Sequence, residues 1–167
     1  MLFGLISSKT NDSIESKRFY KKMCDEEPCK KYITSMIDFR NDTVILIDQG
    51  YFTTYQIGTY YLDEEENIIE CHFHKTVSFG GNSSYKSCNN IDTKINFRLF
   101  EKTISTKNRF EGLFGNENEI EIFIIEEEAL KFYDLNNESE CCKLSISEYT
   151  IDEIYKDPDR AFQECEK

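Results

Sequence analysis

Two segments of the chain share one design, in which an apolar run leads into a cluster of acids and a second apolar run follows. The first is Thr59-Tyr-Tyr-Leu-Asp-Glu-Glu-Glu-Asn-Ile-Ile-Glu-Cys-His-Phe73, and the second is Ile120-Glu-Ile-Phe-Ile-Ile-Glu-Glu-Glu-Ala-Leu-Lys-Phe-Tyr-Asp134. β-branched and aromatic residues suit the pleated, half-buried surface of a strand, whereas like-charged acids must stay solvated at a bend. Each segment therefore reads as an antiparallel hairpin, and a chain built from such hairpins is mainly β.

The rest of the sequence agrees over most of its length. Tyr32 to Phe39 alternates Ile33, Ser35, Ile37 and Phe39 against Thr34, Met36 and Asp38, the period of a strand. Asn41-Asp42 makes a turn into Val44 to Ile47, and Gly50 breaks the chain before Phe52 to Ile57 runs into the first acidic hairpin. Gly80 to Asn90 has almost nothing apolar to bury and reads as an exposed loop. Ile91 to Ile104 resumes a strand pattern with Ile95, Phe97 and Leu99 on one face; Phe110 to Phe114 and Cys142 to Ile146 add two shorter strands. The ends differ. Asp12 to Met23 reads as a helix, with Asp12 and Glu15 spaced as a capping box and Ile14, Phe19 and Met23 along one side. Ile151 to Cys165 reads as one or two short helices interrupted at Pro158. The expected organisation is one domain: an N-terminal arm and helix over 1–29, a β-barrel core over 30–150 and a C-terminal helical segment over 151–167. Eight to ten short strands in a meander favour closure, because closure removes exposed edges.

This order of elements resembles the small lipocalin-like proteins of the calycin group, antiparallel up-and-down barrels with an N-terminal helix and often a C-terminal one. The residues that carry the resemblance are Gly58-Thr59-Tyr60 opening a hairpin, the return strand Ile68 to Phe73 and the segment Leu130-Lys-Phe-Tyr-Asp134, within a stretch from Tyr32 to Tyr149. The chain has no Trp, so the Gly-x-Trp signature of true lipocalins is missing and no ligand residue is carried over. The resemblance implies a lipocalin-like barrel that holds an apolar or amphipathic small molecule. Tyr51, Tyr55, Phe73, Phe97, Phe110 and Phe123 are the aromatic candidates for its lining; the same rings could instead fill a solid core.

Thirty-two acids against twenty bases leave a formal charge of −12, which repels a phosphate backbone and argues against nucleic acid as a partner. The same charge would steer the chain toward a basic protein, so an acidic interaction module of the inhibitor or immunity type, with a solid core, is the alternative function. No run approaches the roughly 20 apolar residues of a transmembrane helix, and a monomer is expected. As the sequence stands the start is too short and uncharged for a secretory leader, which points to the cytoplasm; a truncated leader ending near Ile6-Ser7 would place the protein outside it.

Candidate chemistry is sparse. Cys71-His72-Phe73-His74 holds both histidines of the chain, and at i and i+2 of a strand they share a face that could offer two ligands to zinc, with Cys88 or an acid as a third. The seven cysteines include Cys24 and Cys29, which could close a small loop in an oxidising compartment. Consecutive acids at a bend lack the burial that raises a catalytic carboxyl group and the alternating ligands of a calcium loop. No nucleophile elbow, phosphate loop or dinucleotide fingerprint occurs. The sequence thus points to a binding protein without a cofactor rather than to an enzyme.

Overall fold

Eight antiparallel strands follow one another round a closed barrel in chain order, and the first pairs with the last. The computed structural model describes residues 14–21, 35–49, 52–80, 86–107, 109, 119–133 and 151–157. The strands are β1 (Arg18–Lys21), β2 (Ser35–Arg40), β3 (Thr43–Gln49), β4 (Phe52–Asp63), β5 (Ile68–Gly80), β6 (Lys86–Phe100), β7 (Thr103–Lys107) and β8 (Ile120–Ile125). Helices α1 (Glu126–Tyr133) and α2 (Ile151–Lys156) follow. The mainly β class and the closed meander are those expected from the sequence, at eight strands.

Directly paired residues share a face of the sheet, and the pairing divides the apolar residues into two sets. Phe19, Ile37, Phe39, Leu46, Ile69, Phe73, Phe97, Ile104 and Phe123 form one cluster together with Ile14, Val44 and Cys71. Its members come from nearly every strand, and only the lumen lets residues of all walls meet. Rings pack edge to face there, Phe97 on Phe123 at 5.8 Å and Phe19 on Phe39 at 6.1 Å. The second set, Tyr20, Met36, Ile45, Ile47, Tyr55, Ile57, Val77 and Phe79, lies on the outer face and is covered by Ala129 of α1 and by Ile151 and Ile154 of α2. A fully buried side chain of this size is worth about 1.5–3 kcal/mol, so both layers contribute to the fold.

The helices are tied to the wall by charge as well as by packing. Asp38, buried on the outer face, accepts from Arg18 Nε at 2.8 Å and from Arg40 Nε at 2.9 Å. Arg40 also reaches Asp152 of α2 at 2.6 Å and lies over the Tyr155 ring at 4.7 Å. Glu126 of α1 accepts from the Tyr20 hydroxyl at 3.0 Å. Burial and this neighbouring carboxylate disfavour the phenolate, and the Tyr20 hydroxyl is pushed up to about 12.

Several local expectations are corrected. The segment read as an N-terminal helix supplies β1: Phe19 points inward and Tyr20 outward, a period of two, after a reversal at Ser16 with φ 63°. β1 is therefore part of the wall, paired with β2 on one side and β8 on the other. The first acidic hairpin is present, and Asp63 Oδ1 accepts from the Glu65 and Glu66 amides at its bend. The second is not a hairpin. Glu126, Glu127 and Glu128 form the first turn of α1 instead, where carboxylates favour the partial positive charge of a helix start. Ile91 to Ile104 is divided by the turn at Glu101-Lys102, and β6 begins at Lys86, inside the stretch read as a loop, because Lys86 to Asn90 pairs with Lys75 to Phe79. The expected strands at Phe110 to Phe114 and Cys142 to Ile146, and the helical segment beyond Asp157, lie outside the described residues.

One irregularity decides which residues face the lumen. Phe73 pairs with Gly58 and Lys75 with Ile57, so His74 is an extra residue in β5 opposite β4. Before this bulge the odd residues Ile69, Cys71 and Phe73 point inward; after it Val77 and Phe79 point outward.

Candidate functional site

The lumen is apolar at one end and polar at the other. Along β3 the inward positions run Val44, Leu46, Asp48, and along β4 their partners are Gly58, Gln56 and Thr54. Past the bulge, β5 presents Thr76 and Ser78, paired with Gln56 and Thr54. On β7 and β8 the inward pair beyond Ile104 and Phe123 is Thr106 and Glu121. Alternation alone thus carries a carboxylate into the barrel from each side, and both need partners, because a buried charge without one is very costly.

Arg109 supplies them. Its guanidinium holds Asp48 with two bonds, at 2.9 and 3.0 Å, and its Nε lies 2.5 Å from Glu121. Lys21 Nζ reaches the other Glu121 oxygen at 2.6 Å, and the Ser35 hydroxyl reaches Asp48 at 2.6 Å. The Arg109 and Glu121 side chains are 9% and 4% exposed, so this is an interior network, joining two cations to two carboxylates among the described residues. Burial works against the Arg109 cation, and Asp48 and Glu121 more than offset it, holding the guanidinium charged. The same group stacks 5.5 Å from the Phe123 ring, at the boundary between the polar and apolar halves.

A cleft of about 560 Å³ opens beside this network, lined by Asp48, Gln56, Thr93, Lys94, Ile95, Asn96, Thr106, Lys107 and Arg109. Its position follows from the pairing. β6 and β7 are joined only from Arg98–Ser105 to Phe100–Thr103, while Thr106 and Lys107 stay with β8. The two strands splay, and the cleft lies between them with inward residues of β3 and β4 at its back. Gln56 Oε1 is buried there without a hydrogen-bond partner. Buried polar atoms are almost always paired, so an orphan acceptor at the back of a cleft is a place for a donor.

The sequence candidates are placed as follows. Phe73, Phe97 and Phe123 meet in the apolar half of the lumen, each fully buried. Tyr55 is on the opposite face, in the outer cluster, with its ring 5.7 Å from Phe79. Tyr51 and Phe110 lie outside the described residues, as do Cys24 and Cys29. His72 and His74 are neighbours with ring centroids 6.4 Å apart, and His72 Nε2 contacts Asp92 Oδ1 at 2.6 Å on the exposed outer surface. Among the described residues no group of three or more His, Cys, Asp or Glu could hold a metal. Cys88, the suggested third ligand, is disulfide-bonded. Cys71 is a free thiol in the apolar lumen, where burial pushes it up and keeps it protonated.

No protein-family model, curated protein or solved structure matches the chain. The site therefore has to be read from its own geometry. Sequence reasoning fixed on aromatic rings and passed over Gln56 and Arg109. The available signal was Asp48, a charge at an inward position directly after Val44 and Leu46. No helix among the described residues is long and apolar enough to cross a membrane.

Proposed function

We propose that this is a non-enzymatic, lipocalin-like binding protein that takes a small amphipathic molecule into the barrel between β6 and β7. The observation that carries the reading is the buried, unpartnered Gln56 oxygen at the back of a cleft of about 560 Å³, a volume within the usual range for small-molecule sites. The meander order and the closure of β1 on β8 support the lipocalin-like comparison. The apolar half of the lumen is filled by phenylalanines, so the ligand occupies the polar half and keeps only its middle against Ile95 and the threonine methyl groups. Asp48 and Glu121 are each held by a cation, an arrangement suited to shaping a site rather than to proton transfer. The disulfide at Cys88 favours an oxidising, extracytoplasmic compartment over the cytoplasm.

A thermal-shift panel of small amphipathic compounds tests the reading. Some members should raise the melting temperature of the native protein and leave Ile95→Trp, which fills the cleft, unmoved. A panel without effect, or equal shifts in both proteins, would refute it. The net charge of −12 supports the second reading, an acidic module for a basic partner. That reading expects an association that weakens steeply with salt and is indifferent to Ile95→Trp.

A further inference from the structure

Within the reading of the cleft as a ligand site, we infer that the ligand is an organic anion that carries an O–H or N–H donor at the end remote from its charge. Two features of the lining define the two ends. At the back, the Gln56 carboxamide oxygen is a buried acceptor without a partner, which a donor on the inner end of the ligand would satisfy. At the mouth stand Lys94 on β6 and Lys107 on β7, both exposed and both lining the cleft.

Arg109 and Lys21 are matched by Asp48 and Glu121, whereas Lys94 and Lys107 take part in none of the ion pairs among the described residues. A chain of net charge −12 thus carries a cationic lip at this cleft beside its interior polar network. Two flexible ammonium groups recognise a carboxylate as point charges and require no fixed geometry of it. Between the ends, Ile95 and the Thr93 and Thr106 side chains offer a short, weakly apolar passage, which fits a ring or a few methylenes and not a long acyl chain.

Titration calorimetry with three probes tests the inference: para-hydroxyphenylpropanoate, which has both ends; phenylpropanoate, which lacks the donor; and the methyl ester of the first, which lacks the charge. The hydroxy acid should bind about tenfold tighter than phenylpropanoate and about fivefold or more tighter than the ester, the sizes expected for one hydrogen bond and for partly exposed charge pairs. Gln56→Leu should abolish the first preference and leave the second. Lys94→Gln with Lys107→Gln should abolish the second and leave the first. Equal affinities for acid and ester, or for the hydroxylated and plain acids, would overturn the inference while ester binding in the cleft left the binding reading standing. Absence of binding by all three would also overturn it; the amphipath panel then shows separately whether the cleft binds anything.

Discussion

Gly58→Ala tests the bulge that sorts the lumen from the outer face. A methyl group built at Gly58 would overlap the His72 carbonyl oxygen and lie 2.6 Å from the carbonyl carbon and 2.7 Å from Phe73 Cα. All three are backbone atoms of β5, so no rotamer change can relieve them. Ordinary carbon contacts lie near 3.5 Å, so relieving the closest of these overlaps would part the strands by more than about 1 Å, in the middle of the long ladder between β4 and β5. Overpacking of this kind costs about 1–3 kcal/mol when side chains can yield and more when they cannot; about 3 kcal/mol is expected here. For a chain of this size that is a fall in melting temperature of roughly 6–12 °C. The sign is the sharper criterion. Glycine inside an ordinary strand is worse than alanine by about 0.5–1 kcal/mol, so without the close approach the same substitution would stabilise. Urea titration followed by far-ultraviolet circular dichroism, with Thr59→Ala as an exposed neighbouring control, separates the two. A Gly58→Ala protein as stable as the parent, or more so, would refute the assignment of the bulge.

Arg109→Met should destabilise by about 3 kcal/mol at pH 7, because Asp48 and Glu121 are then buried without their guanidinium. Urea titration of parent and variant at pH 7 measures the loss, and an Arg109→Met protein as stable as the parent would count against the network. Tyr20 works in the alkaline range. Its folded value of about 12 exceeds the ordinary 10.0, so its contribution is whole below pH 10 and is lost as the pH rises to about 12. Tyr20→Phe should flatten the stability profile across that window. Cys71 should resist alkylation in the native protein and react once unfolded, and Cys88 should react only after reduction; peptide mass spectrometry of the two states checks both.

Much of the wall was legible because its signals are local. Ile37 and Phe39, the Asn41-Asp42 turn and then Val44 and Leu46 state one hairpin in full, and the backbone obliges with positive φ at both turn residues. The Glu64 to Glu66 bend is equally plain, since nothing there could be buried. The failures share a cause: a residue pattern with two readings, decided by a distant partner. Ile14, Phe19 and Met23 fit a helix in isolation, but Phe19 pairs with Ile37 on one side and Ile125 on the other. The three acids after Ile125 fit a bend as well as a first helical turn. His74 shows no mark of a bulge, yet it reverses the facing of the strand after it, from inward Phe73 to outward Val77 and Phe79. The cleft was hidden for the same reason, because its back is on β3 and β4 and its mouth on β6 and β7.

The pairing of β1 with β8 also sets a timetable for biosynthesis. Lys21 and Glu121 are 100 residues apart in the chain, so the first of the described strands is sealed by the last of them. Until β8 leaves the ribosome, β1 and β7 are both raw edges, and the phenylalanines that β8 completes with Phe123 stand open to solvent. Contacts of such long range close slowly, and the nascent barrel is sticky for that whole interval. Demand for chaperones should therefore fall abruptly once Ile125 has left the ribosome, rather than gradually along the chain.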